Sequence, residues 1–149
     1  MHLPIAVAYR RAGRFSEAIT QFGQWIAAYP RAPALAGALN GRCRTRALWG
    51  RELDKALDDC NESLKLNPRV SAVLDSRGLV YLRLGQLRRA IKDYDLALRL
   101  QPKAPWSLYG RGLAELREGE RARGDADLKA SAALAPALPA QAKRLGLAP

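Results

Sequence analysis

The chain is expected to be all-α, a row of stacked helical hairpins, and three observations lead there. Pro68, Pro102 and Pro136 are spaced by 34 residues, and each closes a helical run: SLKLNP, ALRLQP and AALAP. Within 71–104, Leu74, Tyr81 and Leu84, then Leu87, Ile91, Tyr94 and Leu98, recur at spacings of three, four and seven, which sets apolar stripes on two facing helices. Fixed distances from each proline complete the pattern. Gly13, Arg51, Gly85 and Gly119 stand 17 residues before theirs, and Ala18, Ala56, Ala90 and Gly124 stand 12 before. Such a period marks a repeat array.

Each element has a physical reason. Gly85 and Gly119 sit where a first helix must end and the chain reverse, a backbone state that glycine takes freely. Ala56, Ala90 and Gly124 keep one face of each second helix flat. The prolines cannot continue a helix and mark each exit. Pro30 ends an earlier run but precedes Pro68 by 38 residues, so a loose, splayed junction is expected after it, with the next helix starting near Pro33. Aligned back from Pro30, the first copy begins upstream of Met1, and Pro4 falls in its opening turn, where proline is tolerated. The absence of an N-terminal cap suggests a fragment of a longer protein, or an edge that is itself an interface. After Pro136, Leu138, Ala142 and Leu145 share one stripe of a short helix that Gly146 would end, read as a cap over the last repeat.

The 149 residues suffice for one domain with a usable core, filled by Leu and Ala since only 7% of residues are aromatic. The net charge is +11 and unevenly placed: residues 1–51 hold eight Arg against Glu17 alone, a net +7. A basic end favours acidic partners and speeds their encounter. No apolar run reaches the roughly 18 residues of a membrane span, and the start lacks the order of a secretory signal. Cytoplasm, or periplasm with a signal removed, both remain open.

Little in the sequence points to catalysis. His2 is the only histidine, so Ser/His and Cys/His nucleophiles lack a base, and the residue reads as incidental at a frayed end. No metal-ligand spacing or phosphate-cradling loop is present; the GRGLAE run at 110–115 reads as close helix packing. No cofactor or metal is expected, and the chain reads as a non-enzyme.

Residues 71–104 resemble the tetratricopeptide repeat (TPR), with Leu74, Gly78, Tyr81, Ala90, Tyr94, Ala97 and Pro102 in the family's spaced positions. The flanking copies match less fully: Arg44 and Arg51 stand at the two glycine positions of 37–70, and Glu115 replaces an aromatic in 105–136. The resemblance, of bacterial type, implies one domain over 1–149 with copies at 1–36, 37–70, 71–104 and 105–136, and a capping helix and tail at 137–149. It also implies a right-handed α-solenoid whose first helices line a concave groove.

Mapped onto that groove, the lining residues are Arg42, Thr45, Leu48 and Trp49 from the second copy, Asp75, Ser76, Leu79, Leu82 and Arg83 from the third, and Trp106, Tyr109, Leu113, Leu116 and Arg117 from the fourth. The Lys/Asn/Arg clamp by which some members grip a terminal carboxylate is absent, because Gly41, Asp75, Tyr109, Thr45 and Leu79 occupy its places. An extended peptide or amphipathic helix of some acidic character suits what remains. The expected function is therefore a protein-interaction module. RNA binding through the basic first third, or self-assembly through the N-terminal edge, are the alternatives.

Two internal pairings follow from the repeat alignment. Cys43 and Cys60 face each other across one helical pair, as a disulfide or as two buried thiols. Arg77 and Arg111 run alongside Asp59, Asp93 and Asp127 as structural ion pairs. Pairing within a repeat would leave Asp59 without its Arg; pairing to the next repeat would give Asp59–Arg77 and Asp93–Arg111.

Overall fold

The computed structural model describes residues 3–149; His2 lies outside them. Nine α-helices and no strand are present among the described residues: α1 (Leu3–Arg11), α2 (Phe15–Ala28), α3 (Leu35–Trp49), α4 (Leu53–Leu66), α5 (Ser71–Arg83), α6 (Leu87–Leu100), α7 (Pro105–Arg117), α8 (Arg121–Leu134) and α9 (Leu138–Arg144). The first eight form four antiparallel hairpins. First helices also adjoin the first helices of neighbouring hairpins, α3 with α5 and α5 with α7, whereas α4, α6 and α8 have no such mutual contact. Packing on one side only curves the row, and the first helices line its inner face.

Three of the four hairpins turn in the same way. After α5, Gly85 takes φ 75°, its N–H donates to Leu82 O and that of Gln86 to Tyr81 O. This double bond satisfies carbonyls that a helix end leaves free. Gly13 and Gly119 repeat it.

The second hairpin differs, and the difference corrects the alignment. Its turn glycine is Gly50, at φ 76°, and not Arg51; a single bond from Gly50 N–H to Arg46 O closes the helix. An extra residue follows, and Glu52 adopts φ 54° to re-enter α4. Equivalent residues of α3 and α5 therefore differ by 35, while those of α4 and α6 differ by 34. Two hydrogen bonds show the same offset: Ser63 Oγ donates to Ala36 O across 27 residues, and Ser131 Oγ to Pro105 O across 26. Cys43 thus stands in the place of Gly78, and Arg42 in the place of Arg77.

The expected splaying after Pro30 is absent. Helix α3 starts at Leu35, and the buried Phe22 ring lies so close to Gly41 that a Cβ there would collide with it. The core runs on through Cys43, Cys60, Val73, Leu79, Val80, Leu82 and Tyr94 to Leu113. Tyr94, 1% exposed, fills the space between Gly78 and Gly110, and burial pushes its phenol pKa well above the usual value. The expected helix after Pro136 is α9, but it does more than cover the fourth hairpin. Leu138, Ala142 and Leu147 join the same core cluster as Leu79 and Leu82 of α5.

Candidate interaction surface

The one-residue offset decides which side chains of α3 face inward. Arg42 does not line the groove: its guanidinium forks onto Asp59, Nε to Oδ2 at 2.8 Å and Nη2 to Oδ1 at 2.8 Å. Thr45 is fully buried and its hydroxyl donates to Gly41 O in its own helix. Trp49 sits at the turn with the Arg51 guanidinium 5.1 Å from its ring centre. The inner places belong to Asn40 and Arg44, one residue earlier than the Gly41 and Thr45 that alignment by prolines sets opposite Asp75 and Leu79, and to Leu48, which that alignment also put in the groove.

The ion pairs run within each hairpin. Arg77 forks onto Asp93 at 2.7 and 2.9 Å, and Arg111 onto Asp127 at 2.7 and 3.0 Å. Asp59 has its arginine after all, since Arg42 holds the equivalent place and Arg46 adds a second bond at 2.7 Å. Each later arginine also reaches back one hairpin, Arg77 to Asn61 at 3.1 Å and Arg111 to Asp95 at 3.0 Å. The carboxylates hold the three guanidiniums charged, raising their pKa values. Cys43 and Cys60 are joined, with S–S 2.02 Å and Cα–Cα 5.6 Å. All of these groups lie between helices, not on the inner face.

On that face, Arg44 links three hairpins. Its Nη1 donates to Asp75 Oδ2 at 2.7 Å, and its guanidinium lies 6.0 Å from the centre of the Trp106 ring. Ser107 Oγ donates to the other Asp75 oxygen at 2.8 Å. Trp106 meets Tyr109 edge to face at 6.2 Å. Arg10, half-buried at the N-terminal end of the face, has its pKa lowered by burial and then by Arg44 and Arg11. Arg11 and Arg117 are exposed.

The apolar part of the groove is not open. Leu79, Leu82, Tyr109 and Leu113 are 4%, 1%, 4% and 1% exposed, and with Trp106 they enclose a small space that Leu147 also lines. Tyr109 Oη donates to Leu147 O at 2.6 Å. Arg83 Nη2 donates to Leu145 O at 2.7 Å and to Leu48 O at 2.9 Å, and its Nε to Ala47 O at 3.1 Å. Arg83 has no carboxylate partner among the described residues; burial, then Arg117, lower its pKa. Proline spacing gave no sign that the tail reaches this far, although the apolar character of Leu145 and Leu147 was visible.

No metal-binding cluster and no helix long and apolar enough to cross a membrane occur among the described residues. Residues 78–119 match the family model described as TPR repeat. Similar solved structures include a thermophilic TPR protein of Thermus thermophilus, with TM-score 0.80, 23% identity, and coverage of 97% of this chain and 81% of that one. A tetratricopeptide repeat protein of Parabacteroides merdae gives 0.68 and 19%, covering 90% and 52%. The first TPR domain of human RPAP3 gives 0.65 and 19%, covering 77% and 92%. No curated protein matches the chain significantly.

Proposed function

Since the chain carries TPR repeats and takes the fold of TPR proteins, we propose that it is a non-catalytic protein-interaction module whose concave face receives a segment of a partner protein. One observation carries this reading: Arg83 and Tyr109 donate side-chain hydrogen bonds to backbone carbonyls of a short terminal segment lying on that face. Donors aimed at peptide carbonyls bind a polypeptide whatever its side chains, and the apolar and aromatic groups around them supply selectivity. Trp106, Tyr109, Leu79, Leu82, Leu113 and Asp75 form the seat, with Arg44, Arg83 and Arg117 favouring a partner of acidic character. Arg42, Thr45 and Trp49 stabilise the second hairpin instead.

The test replaces Trp106 with a photo-crosslinking phenylalanine analogue and maps the adducts by mass spectrometry. Adducts to one segment of a partner, lost when Leu113→Asp is added, are expected. Crosslinks scattered over many proteins and unaffected by Leu113→Asp would contradict the assignment.

A further inference from the structure

The tail that lies on the concave face is the end of a helix, and the contacts it makes are those a helix end needs. Gly146, at φ 76°, donates to Lys143 O, and Leu147 N–H donates to Ala142 O at 2.8 Å. This is the glycine cap seen in the hairpin turns; its two hydrogen bonds satisfy Ala142 O and Lys143 O, and carbonyls further along need partners from outside. Two of the carbonyls beyond α9 are taken from outside, Leu145 O by Arg83 and Leu147 O by Tyr109. Arg83 simultaneously holds Ala47 O and Leu48 O in the last turn of α3. One cation thus sits between the negative ends of two helix dipoles, which accounts for a half-buried arginine without a carboxylate. Leu147, 2% exposed, is the apolar anchor.

We propose that this seat recognises the C-terminal turn of a short helix, glycine-capped and followed by leucine, in a partner protein, and that residues 138–147 occupy it in the free molecule as a stand-in. The inference rests on the interaction reading above and names the partner's chemistry. Helix α9 has seven residues, too few to persist unaided, and Pro139, Ala140, Gln141, Lys143 and Arg144 are exposed. Leu138, Ala142 and Leu147, the partly buried Leu145 and the two side-chain bonds hold it. A better-fitting helix end that displaces this segment finds the same donors open to it.

The experiment uses the full chain and a fluorescein-labelled peptide of residues 136–149, read by fluorescence anisotropy. Leu147→Asp in the chain dislodges the tail, and this variant is expected to bind the peptide saturably. Wild type should bind it at least about tenfold more weakly, because a seat filled in nine of ten molecules reduces apparent affinity by that factor. The same peptide carrying Leu147→Asp should bind neither. A folded Leu147→Asp chain that fails to bind the peptide, or equal binding by both chains, overturns the proposal. If Leu147→Asp loses more helicity in circular dichroism than the seven residues of α9 account for, Leu147→Ser replaces it under the same criteria. A panel of unrelated peptides separates this inference from its premise. Peptides that bind both chains alike and never compete with the tail peptide leave the interaction reading standing and overturn the helix-end seat; a panel in which nothing binds either chain overturns both.

Discussion

The second and third hairpins hold their helices together by the same fork and by opposite means one step further along. In both, an arginine of the first helix grips an aspartate of the second, Arg42 with Asp59 and Arg77 with Asp93. Beside that fork the third hairpin wedges the Tyr94 ring against Gly78, whereas the second places Cys60 against Cys43 and bonds them. A thiol is too small to fill the volume of a ring, so packing alone would leave the second pair loose. The covalent link takes over the role of the aromatic. The inserted residue at Gly50–Glu52 is absorbed in the same hairpin, which the bridge pins across a separation of 17 residues. A repeat slot therefore specifies a fixed distance between helices, and the chemistry that fixes it is free to change.

Tyr94→Ala should break the third hairpin most severely. It empties a fully buried site between two glycines, and losses for such aromatic deletions run to about 3–5 kcal/mol. Urea denaturation followed by circular dichroism measures it; a midpoint within error of wild type would mean that the ring does not support the wedge. Removing both sulfurs with Cys43→Ser/Cys60→Ser should cost about 3 kcal/mol, the scale for a loop of this length. A reductant should lower the melting temperature of wild type and leave that of the double variant unchanged.

The shared fork separates the hairpins more finely. Arg77→Ala leaves Asp93, whose side chain is 4% exposed, buried with its charge unpaired, a loss of about 3 kcal/mol. Arg42→Ala should cost only about 1 kcal/mol, because Arg46 still reaches Asp59. Equal losses in the two variants would show that Arg46 does not compensate.

The fourth hairpin is set apart by a pH slope, because Glu115 there takes the place of Tyr81. Burial, then the neighbouring Asp127 carboxylate, raises the Glu115 pKa to about 8 from its ordinary 4.5. The unfolded chain loses this proton above 4.5 and the folded chain keeps it until about 8, so the folded state binds more protons between the two. Stability from this group therefore falls as pH rises through that window. Asp127, held low in spite of its burial by Arg111 and Glu115, acts in the opposite sense at lower pH. Glu115→Gln should flatten the slope between 4.5 and 8; thermal melts across that range read it.

Much of this architecture was legible in the residues. The 34-residue spacing of Pro68, Pro102 and Pro136 located α4, α6 and α8, because proline cannot continue a helix beyond its first turn. Proline alignment set Cys43 in the place of Arg77, whereas the structure sets it in that of Gly78, against Cys60. What proline spacing could not register was the insertion inside the second hairpin, since it counts from the far end of the pair. That single residue took Arg42, Thr45 and Trp49 out of the groove, left Leu48 in it and brought in Asn40 and Arg44. The tail was legible only in part, for a different reason: the helix after Pro136 packs on α8 as expected. An apolar stripe on a short helix reports that something covers it, but not what, and the partner proved to be α5 and α7 as well as the end of the row. Arg83 looked like a free groove residue because its acceptors are backbone carbonyls, which leave no mark in a sequence.

The claim on which the functional account turns is that Leu147 lies in the groove of the free protein. Methyl-labelled protein and a nuclear Overhauser spectrum address it directly, with no partner or variant needed. A docked tail requires cross-peaks from the Leu147 methyls to those of Leu82 or Leu113, which line the same small space. Leu147 methyls with random-coil shifts and no cross-peak to α5 or α7 would contradict it.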